Sequence, residues 1–179
     1  MGAKKIPMAT TLTIGENYSR LVETPEYLDQ FLYKAVIPNE EIRDLKTIKD
    51  MEYKGNTWKW WMKIMTGGAK ENIKKISDAG GILAVGTDQT VGPAVHREME
   101  LLSEAGISNI GIIQIATLNG AKWLGKDDEL GSIEEGKLAD LVLLDADPSE
   151  NINNAKMINM VIKDGKMIVR GSLDLPINN

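Results

Sequence analysis

The stretch GGILAVGTDQ, residues 80–89, constrains the fold more than any other part of the chain. Its run from Ile82 to Val85 is wholly apolar. A strand of that kind is covered on both faces, as parallel strands are in α/β folds. Gly80-Gly81 supplies a left-handed stop for a helix before it, and Pro93 after Gly92 suits the first turn of a helix after it. The strand also ends on an acid: Gly86 and Thr87 turn the chain, and Asp88 follows. Ligands in parallel α/β folds sit at the carboxyl ends of strands. The local residues leave two readings of Asp88 open. It is a turn former, as strand-end Asp often is, or it is a carboxylate held at the mouth of a core for chemistry, with the small residues Gly86 and Thr87 leaving room beside it.

The flanking sequence extends the pattern. Met8 to Ile14 is β-branched and apolar and predicts a strand, ended by Gly15. Asn17 to Lys54 is helical and polar, broken at Pro25 and Pro38, with Asn39 as an N-cap for EEIRDLKTI. Thr57 caps a further helix, in which Trp58, Trp61, Met62 and Met65 share one face and Gly67-Gly68 predicts a kink or a break. The WKWW cluster (Trp58, Trp60, Trp61) reads as core packing rather than a pocket lining. After Pro93, the residues Val95, Met99 and Leu102 form an apolar stripe closed by Gly106, and Ser108 caps the next helix. Beyond Gly125 the pattern changes. Leu141 to Leu144 and Met157 to Lys163 read as strands, and Asp164-Gly165 is a two-residue hairpin signal returning through Met167 to Val169. The middle of the chain is therefore α/β, with a small antiparallel piece after a boundary near Lys126 to Ser132.

Composition removes several function classes. The chain has 21 basic and 26 acidic residues, a net charge of −5, which argues against nucleic acid as a partner. There is no cysteine, so thiolate metal sites and disulfides are excluded, and a reducing cytoplasm suits the chain. No apolar stretch approaches the roughly 20 residues of a membrane helix. The N-terminus MGAKKIPMATT lacks the apolar segment of a signal peptide. His96 is the only histidine and lies in the first turn of the helix after Asp88. It either reaches a ligand at the same mouth or is an exposed residue of PAVHREME. GTDQTVG matches no phosphate-binding loop, and its acid would repel phosphate.

From Gly80 onward the chain resembles the C-terminal part of the metal-dependent amidohydrolase superfamily, in the branch of imidazolonepropionase-like enzymes and related dipeptidases. AVGTDQ resembles its last barrel strand, HREMELLSEAGIS the helix that follows, and IATLNGAKWLG its Ala-Thr-x-Asn-x-Ala segment. LGSIEEGKLADLVLLDADP resembles the crossing into a small β-sandwich, and MVIKDGKMIVRG its closing hairpin. Each match is short, but all five occur in family order. Met8 to Ile37 resembles the seventh barrel strand and its helices. The resemblance implies a partial TIM-like barrel, about the last two β/α units over residues 1–126, followed by part of a β-sandwich over 127–179. It implies a hydrolase of small-molecule amide or cyclic C–N substrates that uses a divalent metal, zinc. It also implies that Asp88 is a metal ligand and the catalytic proton shuttle. Thr87 and His96 are candidate substrate-binding residues by their position near the same strand end, not by the resemblance.

The departures from the family pattern are as informative. The family binds metal with a His-x-His on its first strand, a Lys or Glu on the fourth, His on the fifth and sixth, and Asp on the eighth. Of these only Asp88 has a counterpart here. A zinc hydrolase site needs about three protein ligands, and a whole barrel needs about 250 residues. The chain is therefore expected to be a portion of a larger enzyme, inactive alone and unable to hold the metal by itself, with a missing N-terminal barrel half or a partner chain supplying the rest. The alternatives are one half of a two-chain enzyme and a non-catalytic oligomerisation or binding module.

Overall fold

The computed structural model describes residues 6–48 and 57–168 and has an α/β fold. Strand β1 (Met8–Thr10) pairs in parallel with β2 (Leu83–Val85), in the register Met8 to Leu83, Ala9 to Ala84 and Thr10 to Val85. Between them run α1 (Leu12–Glu23), a 3-10 turn (Pro25–Asp29), α2 (Phe31–Lys34), α3 (Asn39–Ile48) and α4 (Thr57–Asp78). After β2 come α5 (Pro93–Glu104), α6 (Asn109–Ala116) and α7 (Leu118–Leu124). The alternation of side chains along a strand divides the small sheet into two faces. Met8, Leu83 and Val85 join a core with Ile73 of α4, Leu101 and Leu102 of α5, and Ile112 of α6. Ala9 and Ala84 face the other way.

Residues 126–168 add a separate sheet. Strands β3 (Leu141–Leu144), β4 (Ile158–Lys163) and β5 (Lys166–Ile168) are antiparallel in that order. Asp164 (φ 50°) and Gly165 (φ 72°) are both left-handed, as a two-residue hairpin requires. Ile152, from a 3-10 turn (Ile152–Lys156), inserts into the main core and ties this piece to the helices.

Several helix ends follow their sequence signals. Gly80 (φ 73°) ends α4; its N–H donates to Ser77 O, and Gly81 N–H donates to Ile76 O at 2.8 Å. This is the paired bonding of a Schellman stop. Ser108 Oγ accepts from Gly111 N–H at 3.2 Å at the start of α6.

Other expectations are corrected. The predicted strand from Met8 to Ile14 stops at Thr10, because Leu12 and Thr13 already donate their N–H groups to a side chain from α5 and open a helix. Asn39 is the first helical residue rather than the cap, and Pro38 O takes the first helical bond, from Ile42 N–H. Gly67-Gly68 does not break α4, which runs unbroken to Asp78. Packing on α1 overrides the propensity there: a Cβ on Gly15 would lie 2.5 Å from Thr66 Oγ1, so the two helices approach too closely to diverge. The buried face of α4 passes through Thr66 and Ile73. Trp60 and Trp61 fall off that face and stay 60% and 51% exposed, so they do not join the core. Val95 likewise leaves its stripe and is exposed. The side chain of Trp58, residues 49–54 and Val169 lie outside the described residues.

Candidate active site

The loop after β2 begins with a close approach. Gly86 N–H donates to Thr10 O at 2.9 Å, extending the β1–β2 ladder by one bond. A Cβ on Gly86 would stand 2.8 Å from that same oxygen, so only glycine fits. Thr87 then makes the turn locally: its Oγ1 accepts from Gln89 N–H at 3.2 Å and contacts Gln89 O at 3.3 Å. Asp88 sits within this turn at φ 49°, a left-handed conformation that is uncommon outside glycine.

Asp88 is exposed, and its carboxylate has no hydrogen-bond or ion-pair partner among the described residues. The bonding of the turn is done by Thr87, so the acid is free of it. Asp88 lines an open cleft of about 600 Å³ together with Ala9, Thr11, Ala84 and Gly86 from the small-residue face of the sheet and Thr117 and Trp123 from the α7 side. The small side chains of the sheet face leave the carboxylate approachable from the side opposite the core.

His96 lies elsewhere. It is not among the residues that line this cleft. Its charged neighbours are Lys156 and Glu100. Burial, and then the positive charge of Lys156, hold its pKa below the ordinary 6.5, with Glu100 opposing. Its Nδ1 is buried without a hydrogen-bond partner among the described residues. Thr87 and Asp88 are thus together at the strand end, and His96 is turned toward the 152–156 segment.

The geometry rests on a residue not singled out from the sequence. Glu98 is fully buried on α5. Its Oε1 accepts from Leu12 N–H at 3.0 Å, and its Oε2 accepts from Thr13 N–H at 2.7 Å and from the Thr13 hydroxyl. A carboxylate from 85 residues away thereby satisfies the free donors at the start of α1. The signal was present: Ala94, Glu98, Leu101 and Leu102 fall at i, i+4, i+7 and i+8. An acid on an apolar stripe implies a buried partner. Beside it, Arg97 Nε donates to Glu16 Oε2 at 2.7 Å, its Nη2 to Glu16 Oε1, and its Nη1 to Glu100 at 2.8 Å, with Glu104 also 2.8 Å away. Burial alone would lower the Arg97 pKa, but the bonds to Glu16 and Glu100 outweigh it and hold it above its usual value. The Arg97–Glu16 pair ties α5 to α1 by charge.

A divalent metal does not fit the described residues alone. No group of three or more His, Cys, Asp and Glu side chains among them converges on one point. Asp88 offers a single carboxylate, short of the three protein ligands that a catalytic zinc ion requires.

The sequence model of the Amidohydrolase family matches residues 67–168. The imidazolonepropionase of Geobacillus sp. (strain WCH70) is 32% identical over 115 residues, covering 60% of this chain and 27% of that protein. The 5-methylthioadenosine/S-adenosylhomocysteine deaminase of Thermoanaerobacter pseudethanolicus is 32% identical over 114 residues, covering 49% and 26%. The structure of a putative prolidase from Bifidobacterium longum superposes with a TM-score of 0.64 at 27% identity, covering 92% of this chain and 35% of the prolidase. A Xaa-Pro dipeptidase with methionine bound in its active site gives 0.62 at 27%, covering 90% and 34%. The chain thus spans about a quarter of the length of these curated relatives and about a third of these structures.

Proposed function

Because the chain belongs to the amidohydrolase family, we propose that it forms the C-terminal portion of a metal-dependent hydrolase of amide or cyclic C–N bonds, with Asp88 as one ligand of the metal. In this reading β1 and β2 with their helices are the last two units of a TIM-like barrel, and residues 127–179 belong to a small β-sandwich. The remaining donors, and the metal with them, come from another part of the enzyme, in a longer chain or in a second polypeptide.

One observation carries the reading: an unpaired carboxylate at the carboxyl end of a core strand, in a left-handed turn whose hydrogen bonds it does not make, facing an open cleft. A turn-forming Asp is normally engaged with nearby backbone N–H groups. A carboxylate so held can take a proton from an attacking water within hydrogen-bond reach. Thr87 fixes the turn that presents it, and His96 serves the packing of α5.

The test is reconstitution with a polypeptide that carries the complementary barrel strands and a His-x-His. The complex is expected to hold stoichiometric metal and to hydrolyse amide substrates, and Asp88→Asn is expected to abolish turnover and weaken metal retention. Full metal content and turnover in the Asp88→Asn complex would overturn the assignment, and would favour a non-catalytic binding module.

A further inference from the structure

A second cavity lies on the other side of the loop that follows Asp88. Gln89, Thr90 and Val91 form one wall, and Asn17 and Arg20 of α1 form another. It encloses about 170 Å³. Because Gln89 to Val91 follow β2 directly, the cavity is on the carboxyl-end side of the sheet.

Arg20 is the one cation among the described residues that line it. Its guanidinium carbon stands 4.1 Å from the centroid of the Tyr27 ring, and its Nη1 donates to Tyr33 Oη at 3.4 Å. These contacts fix the group and leave most of its five N–H donors unused. No carboxylate pairs with it among the described residues. Glu16, one turn earlier on α1, is already taken by both edges of Arg97. Neither tyrosine offers a compensating phenolate: burial first, and then the neighbouring Tyr33, push Tyr27 up to about 12, and burial raises Tyr33 as well. Half-buried Arg20 therefore lines this space with no carboxylate bonded to it among the described residues; the two acids of the lining are Glu16, which is held by Arg97, and Glu41.

The other polar groups refine what could enter. Tyr27 Oη donates to Asn17 Oδ1 at 3.0 Å, and the Asn17 and Gln89 amides meet only at 3.5 Å, so both amides are available to a guest. Glu41 is an exposed acid in the lining. Its charge disfavours di- and polyanions more strongly than a singly charged ligand. A planar guanidinium with parallel free donors matches a carboxylate in a two-point bond.

We propose that this cavity binds the carboxylate of a small organic monoacid, with Arg20 as its charged partner and the Asn17 and Gln89 amides as supplementary donors. The inference uses only groups of this chain and stands or falls independently of the role given to Asp88.

Phenylglyoxal modification of the full chain, followed arginine by arginine by mass spectrometry, tests it. Propionate at about ten times its dissociation constant is expected to slow modification of Arg20 about tenfold by mass action. Exposed Arg43 on α3 should be unaffected. Protection by N-acetylglycine at lower concentration than propionate would mark the guest as the carboxyl end of an amide; stronger protection by propionate would mark a free acid. Absence of saturable protection overturns the proposal, as does equal protection by uncharged propionamide or by inorganic phosphate. Arg97, held by three carboxylates, must react slowly throughout; if it reacts as fast as Arg43, the helices that build the cavity are not assembled and the proposal falls with them.

Discussion

His96 is the only histidine of the chain and is half-buried on α5, with Lys156 and Glu100 as its charged neighbours. Burial and Lys156 depress its folded pKa below 6.5, so the unfolded chain binds the proton more readily. The sign follows from linkage: stability declines as pH falls below 6.5 and levels off once the folded histidine is also protonated. His96→Gln is expected to flatten that slope, read as urea midpoints across mildly acidic pH. A slope unchanged in the variant would show that other groups carry it. Asp88 and Glu98 make the complementary residue-scale contrast. They lie ten positions apart, yet one is exposed and unpartnered and the other is buried with three donors on its carboxylate. Asp88 was legible as a strand-end acid because its neighbours Gly86 and Thr87 identify the turn. Glu98 was not singled out, because its donors belong to a helix start 85 residues away.

At the scale of elements, that carboxylate decides where α1 begins. MATTLTI has the composition of one strand, and the local residues give no reason to stop at Thr10. The chain changes to helix at Leu12 because α5 presents two acceptor oxygens there. Glu98→Ala leaves buried N–H groups without partners and is expected to destabilise the fold by about 1–3 kcal/mol, with Glu98→Gln milder because one acceptor oxygen remains. Chemical denaturation measures both, and equal stability of Glu98→Ala and the parent would remove Glu98 from this role. Helix α4 makes the opposite case. Two adjacent glycines predict a break, but the contact of Gly15 with Thr66 keeps α4 pressed along α1 and the helix continues. Elements closed by their own residues kept to their signals: the Gly80 stop and the Ser108 cap need no distant partner, and the Asp164-Gly165 hairpin turns where its two residues predict.

The whole molecule has one main core and unmet surfaces around it. That core joins β2 to α4, α5 and α6, and a second cluster gathers Leu21, Tyr27, Leu28, Tyr33, Ile37 and Ile42. The parallel sheet has only two strands among the described residues, so each has an edge without a strand beside it. The antiparallel sheet buries none of its described strand residues, and Val142, Leu143 and Met167 stay more than half exposed. A three-stranded sheet needs a covered apolar face to be stable. If further strands complete the fold, backbone amides of residues 8–10 and 83–85 should exchange with solvent about tenfold more slowly in the reconstituted complex than in the chain alone, since exchange follows local opening. Unchanged exchange in a formed complex would mean that the new chain docks elsewhere.

By itself the sequence determined the properties that reside in neighbouring residues: an apolar run that must be covered on both faces, the glycines and serine that end and begin helices, the hairpin, and a single histidine that leaves a metal site short of ligands. The order of its short motifs also pointed to the family to which the chain belongs. Only the tertiary structure decided which charged groups are occupied and which are free. Among the described residues Arg97 is bonded by three acids while Arg20 is bonded by none, Glu98 is spent on α1 while Asp88 is not, and nothing local to PAVHREME or NYSRL distinguishes them. Hydrogen bonds and ion pairs between segments some eighty residues apart depend on which helix faces pack together, and that packing exists only once the chain has folded.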